Sequence, residues 1–199
     1  MLGRRSTASE ESRPVRVDPD GDTHLIRRIV SKDLRAFEDL YRAYHPRLTR
    51  FLKTMLRSAP TVEEVLNDTL LVVWTHPDRY NGKSKVSTWI FAIAYRKALK
   101  ALRRHDEPVE DKTAETRQSE EAGPEQQLGQ RQTQQALLKA MAELSHDHRA
   151  VVDLTYFHGA GYREIAEIMA CPVDTVKTRM FHARRRLKTK LSGELADWL

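Results

Sequence analysis

The sequence predicts an all-α protein of two small helical domains joined by a flexible acidic linker. Three observations predict it. Apolar residues recur at the 3, 4 spacing of a helical face before residue 105 and again after Leu137. No stretch of four or more residues alternates as a half-buried strand does. Between the two periodic regions, residues 106–130 hold eight Asp or Glu against Lys112 and Arg117, together with Pro108, Gly123 and Pro124, a composition that makes a linker. The expected organisation is a disordered tail (1–22), a first domain (23–105), the linker (106–130), a second domain (131–192) and a short tail (193–199).

The 199 residues are 40% hydrophobic, sufficient for compact but small cores. The net charge is +6 and the linker carries -6, so the remainder carries +12. That asymmetry favours a polyanionic partner. Cys171 is the only cysteine, which excludes a disulfide framework and a multi-cysteine zinc site and suits a cytoplasmic protein. No apolar run approaches the roughly 18 residues of a membrane span, so no membrane insertion is expected.

In the first domain Asp22 or Thr23 caps a short helix over 24–30, and Asp33 caps a second in which Leu34, Phe37, Leu40, Tyr41 and Tyr44 share a core face. His45-Pro46 is expected to break it. A third helix then presents Leu48, Phe51, Leu52, Met55 and Leu56. Thr61 with Glu64 reads as a capping box opening a helix to about residue 75, with Asn67 and Asp68 facing out. The loop 76–85 ends in Gly-Lys-Ser, but Pro77 stands where a phosphate-binding loop needs its first glycine, so a nucleotide site is rejected. The next helix, capped by Ser84 or Ser87 and running to residue 104, interleaves Trp89 with Arg96, Lys97, Lys100, Arg103 and Arg104. A single-strand-binding surface needs that mixture of aromatics and cations.

In the second domain Leu137, Leu138, Met141 and Leu144 begin a core, and Ser145 caps a helix over 146–157. The segment GYREIAEIMA (161–170), a break at Ala170-Cys171-Pro172 and a long basic helix then form a helix-turn-helix. In that last helix Val176, Met180, Ala183 and Leu187 make a thin apolar stripe; Lys177, Thr178, Arg179, His182, Arg184, Arg185, Arg186 and Lys188 fill the rest. His146, His148 and His158 lack metal-ligand spacing, and no nucleophile and base arrangement is legible, so neither cofactor, metal nor enzymatic activity is expected.

The two halves together resemble the extracytoplasmic-function sigma factors of bacterial RNA polymerase. VEEVLNDTLLVVW (62–74) and VSTWIFAIAYRKALKALRR (86–104) resemble sigma region 2, and residues 144–187 resemble region 4, in the family's order around an acidic linker. Pro172-Val173-Asp174 replaces the commoner Ser-x-Gly before Thr175-Val176. The resemblance implies a promoter-specificity subunit with core polymerase, promoter DNA and an anti-sigma factor as partners. It places Thr175, Lys177, Thr178, Arg179, His182, Arg185 and Arg186 on the -35 duplex. Tyr80, Asn81, Lys83, Ser84, Lys85, Trp89, Arg96, Lys97 and Lys100 fall at the melted -10 element, and Asn67 and Asp68 at the polymerase clamp. The short tail implies no appended sensory domain.

As a random coil the 25-residue linker spans only about 28 Å. Two groove sites two helical turns apart lie about 70 Å from each other. An extended linker reaches roughly 80 Å, so both sites are gripped only when a partner holds it out. A polymerase-independent helix-turn-helix regulator is the rival reading, but it leaves the basic, aromatic first domain without a role; a helical adaptor with no DNA role is the next.

Overall fold

We describe a computed structural model of the chain over residues 19–106 and 139–191. The expected linker beyond Asp106, residues 1–18 of the expected N-terminal tail, the C-terminal tail, Leu137 and Leu138 lie outside the described residues; residues 19–22, expected in the disordered tail, are helical.

The first half is α1 (Pro19–Val30), α2 (Leu34–Met55), α3 (Ala59–Thr75) and α4 (Val86–Asp106). Asp33 caps α2 as expected: one carboxylate oxygen accepts the Arg35 and Ala36 N–H groups at 3.0 and 3.2 Å, and the other holds Arg28 at 2.7 Å. Arg28 first, and then the backbone donors, hold the Asp33 carboxyl below its ordinary pKa.

Five local expectations are corrected. The first helix starts at Pro19, so Asp22 and Thr23 are inside it and neither is its cap; the buried Asp22 carboxylate accepts the Tyr44 hydroxyl. Burial, then the Asp22 charge, pushes the Tyr44 pKa far above its ordinary value. His45-Pro46 does not break the chain: α2 continues through Pro46 to Met55. A mid-helix proline costs about 3 kcal/mol, but Leu40, Tyr44, Leu48, Phe51 and Leu52 form one fully buried stripe across it, and that burial outweighs a missing hydrogen bond. Thr61 and Glu64 do not cap α3; Ser58 does, accepting the Thr61 N–H, with Thr61 buried and Glu64 turned toward Arg104 at 3.7 Å. Finally, neither Ser84 nor Ser87 caps α4 at its start, because Val86 opens it and Ser87 lies in its first turn. Leu34 and Tyr41, expected in the core, are also exposed.

The second half is α5 (His146–Tyr156), α6 (Tyr162–Met169) and α7 (Val173–Lys190), preceded by a helical segment at residues 139–142. Ser145 caps α5, accepting the His148 N–H. Gly159 takes φ +63, which a side chain there would resist. The tight turn after α6 is made by Ala170 at φ 50, ψ 48, with the Cys171 N–H returned to the Ala166 carbonyl at 3.0 Å. Pro172 sits at the N-cap of α7, just ahead of its first turn.

The halves do not stand apart. α6 packs on α4 and α5 on α2, so the two buried cores are continuous through Phe51, Phe91 and Leu154. His158, its side chain 4% exposed, lies 4.6 Å from the Phe91 ring and 6.3 Å from that of Phe51.

Candidate nucleic-acid interface

α6, the left-handed turn at Ala170 and α7 form the predicted helix-turn-helix. Val176, Met180, Ala183 and Leu187 are all buried, which fixes the roll of α7 and turns Lys177, Thr178, His182, Arg185 and Arg186 outward. Asp174 holds Lys177 at 2.9 Å, and the Thr178 hydroxyl donates to the Asp174 carbonyl. Thr175 is half-buried. Arg179 is engaged: its guanidinium is ion-paired with Asp147 at the start of α5 and touches the Cys171 Sγ. Arg184 is structural, donating to the Tyr156 hydroxyl at 3.0 Å. His148 and His182 face one cleft with Arg185, Arg186 and Thr189, their ring centroids 6.4 Å apart. Burial, then the His182 and Arg179 charges, lowers the His148 pKa.

In the first half the 76–85 loop is shaped by its own polar groups. The Tyr80 hydroxyl donates to the Ser84 carbonyl at 2.7 Å, the Asn81 side chain accepts the Lys83 N–H, and Gly82 takes φ +72. The result is a tight hairpin-like loop with Asn81, Lys83 and Lys85 exposed. Trp89 is half-buried, 5.5 Å from the Tyr80 ring, so it both supports the loop and shows one edge to solvent. Arg96 and Lys100 are exposed along α4, whereas Lys97 donates to Asp68 at 2.9 Å. Asn67 and Asp68 are exposed on α3, and Leu71, one turn on, adds an exposed apolar side chain beside them.

Closure brings the two sets of residues together. Lys85 of the loop contacts Glu164 of α6 at 2.6 Å, and the same carboxylate accepts the Gly161 N–H. Burial pushes the Glu164 pKa up, but Lys85 and that N–H outweigh it and hold the pKa below its ordinary value. The Tyr95 hydroxyl of α4 donates to Asp147 at 2.6 Å, so one carboxylate ties the first half to the recognition-helix Arg179. Arg50 lies 3.6 Å over the Phe157 ring and 3.9 Å from the buried Asp153 carboxylate.

The sequence matches the family models for Sigma-70 region 2 over residues 40–107 and Sigma-70, region 4 over residues 134–187. It is 27% identical to the ECF RNA polymerase sigma-E factor of Haemophilus influenzae, over 85% of this chain and 95% of that one. The chain belongs to the extracytoplasmic-function sigma factors. It is likewise 27% identical to the RNA polymerase sigma-H factor of Pseudomonas aeruginosa, over 88% of this chain and 96% of the relative. Among solved structures it is similar to the sigma factor RpoE of Bartonella quintana in complex with the anti-sigma factor NepR, with a TM-score of 0.64, 25% identity and coverage of 81% and 99%. CnrH, solved in complex with the cytosolic domain of CnrY, shares the fold at a TM-score of 0.64 and 21% identity, over 85% and 96% of the two chains.

This sigma factor has three polar or apolar groups at the interface that sequence reasoning missed. Phe181, 62% exposed, stands on the solvent-facing side of α7 next to His182. A signal existed, because an aromatic off the buried stripe of a basic helix has no core to fill. Leu71 was detectable in the same way. Asp147 was not, since its two partners are Tyr95 and Arg179. Among the described residues no helix is long and apolar enough to cross a membrane.

Proposed function

We propose that this sigma factor divides its work as its two halves suggest: residues 23–105 for core polymerase and the -10 element, 106–130 as linker and 131–192 for the -35 element. The carrying observation is α7, whose apolar stripe is wholly buried while Lys177, Thr178, His182, Arg185 and Arg186 point outward as one cationic face. In a major groove Arg179 or Lys177 reads a guanine edge, and Thr175, Thr178 and the remaining cations hold phosphates. The loop from Tyr80 to Lys85 captures an unstacked base, Trp89 marks the fork, and Arg96, Lys97 and Lys100 follow the strand. Each stacked step costs about 1.4 kcal/mol to open. A captured base returns about 1–3 kcal/mol, so capture offsets melting. Asn67 and Asp68 dock the clamp.

Lys85 and Arg179 are engaged in the closed form, so DNA binding requires the halves to part; polymerase supplies the surface that holds the linker extended. An anti-sigma factor is a further partner, supported by the solved complex of the sigma factor RpoE with the anti-sigma factor NepR. The protein acts in the cytoplasm and catalyses no reaction of its own. Size-exclusion and run-off transcription with purified bacterial core polymerase on a promoter library test this reading: co-elution with sequence-selective transcripts is expected. Duplex binding without core association favours a polymerase-independent regulator instead.

A further inference from the structure

Inside the first half, buried polar side chains find partners: the Asp22 carboxylate accepts the Tyr44 hydroxyl, and the Thr69 hydroxyl donates to the Val65 carbonyl at 2.7 Å. The face on which α2 of the first half meets α5 of the second is different. Among the described residues, every buried side-chain nitrogen or oxygen that finds no hydrogen-bond partner belongs to α2, to α5 or to His158 just beyond α5. They are atoms of Arg47 and Thr49, of His146, Arg149 and Asp153, and of His158. Folded interiors leave few such atoms, because each one loses its water and gains nothing in return. Here they gather on the helices that join the two halves.

Arg149 is the extreme case. The residue is only 9% exposed, its Nε is unmet, and it forms no ion pair with any described carboxylate. Asp153, one turn along α5, lies 3.9 Å from Arg50 and 3.0 Å from His158 instead. The charge that does act on Arg149 is a like one: Arg57, just past the end of α2. Burial first, and then the Arg57 charge, lowers the Arg149 pKa. A buried guanidinium without a carboxylate is costly, and a second guanidinium across the contact adds to the cost. Once the halves part, both side chains reach water, so this cost falls on the closed form alone.

We propose that Arg149, facing Arg57 across the α2–α5 contact, is a built-in opening device that keeps the closed form close to parting. Phe51, Phe91 and Leu154 at the apolar centre of the junction, with the Tyr95–Asp147 and Lys85–Glu164 contacts beside them, draw the halves together. Arg149 opposes them, and so keeps within reach the opening that DNA binding requires. The device is a property of the free chain and stands apart from the sigma-factor reading.

The test reads closure in the free full-length protein. His158 is covered by the Phe51 and Phe91 rings of the first half, so its rate of carbethoxylation, followed by mass spectrometry, reports the open population. Arg149→Met keeps the aliphatic stem and removes the charge. It is expected to slow His158 modification by about fivefold or more, because the closed form loses an unmet buried charge. Arg57→Met, at an exposed position, is expected to slow it less, and to add less again once Arg149 is already Met. Each substitution is also made in Tyr95→Phe, which lacks one tie across the junction and keeps the rate measurable. Arg149→Met decides the matter as long as it melts cooperatively; if it does not, Arg57→Met decides. The proposal is overturned if the deciding variant is modified at His158 as fast as its parent or faster.

Discussion

Tyr95→Phe removes one oxygen from the junction between the halves and leaves the rest of the side chain in place. Its hydroxyl donates across the junction to Asp147 at 2.6 Å, with the ring buried. Burial, then Asp147, raises the Tyr95 pKa well above its ordinary value, so the donor is intact throughout the neutral range. A hydrogen bond to a charged acceptor contributes about 1.5–3 kcal/mol. Asp147 keeps Arg179 in the variant, so no carboxylate is orphaned, and about 1–2 kcal/mol is the expected loss of closure. By comparison the Lys85–Glu164 pair, with its lysine more than half exposed, supplies about 0–1 kcal/mol. Arg50 over the exposed Phe157 ring supplies about 0.5–1 kcal/mol. Arg50 also lies 3.9 Å from the buried Asp153 carboxylate, so Tyr95 is one of several polar ties, and its loss raises the open population by about 5- to 30-fold. His158 is covered in the closed form, so its rate of carbethoxylation, followed by mass spectrometry, reads that population. An unchanged His158 rate in a Tyr95→Phe protein that melts normally would show that this bond does not hold the halves together.

Four other outcomes are expected. Arg179→Ala weakens promoter binding by about 1–3 kcal/mol; equal discrimination among -35 variants before and after the change removes its base-reading role. Asp68→Arg abolishes association with core polymerase, measured by co-elution, and normal assembly sinks the clamp assignment. His148 has its pKa lowered, chiefly by burial, so its contribution to stability is full above about pH 6.5 and is lost as pH falls below it. A DNA phosphate at the His148–His182 cleft favours the imidazolium, so -35 affinity at fixed ionic strength rises from about pH 7.5 to 6, and more steeply in the wild type than in His148→Ala; parallel profiles refute the contact. Pro46→Ala restores a donor inside an exposed turn of α2 and raises stability to denaturant by about 1–3 kcal/mol; a lower midpoint shows that α2 is built around the proline.

Much of the architecture was legible because helical periodicity is local. The buried stripe of α7 is written in residues three and four apart, and so are the Ser145 cap of α5 and the outward placing of Asn67 and Asp68. The local signals failed where a distant surface decided between two acceptable local answers. His45-Pro46 is a fair helix stop, but a stripe running from Leu40 through Met55 buries more as one helix than as two. Thr61 with Glu64 is a sound capping box, but Thr61 is needed inside and Ser58 takes the cap. Leu34 and Tyr41 read as core, yet the structure leaves them on the surface.

By itself, then, the sequence determined the helices, which face of each is apolar, the helix-turn-helix with its cationic outer surface and the acidic segment between the halves, because each depends on neighbours within a turn or on composition. Only the tertiary structure decided that the halves close, that Asp147 ties Tyr95 to Arg179, that Glu164 holds Lys85 and that Arg50 lies over Phe157. These partners lie tens of residues apart along the chain. No periodicity encodes such pairs; they meet because whole helix faces dock.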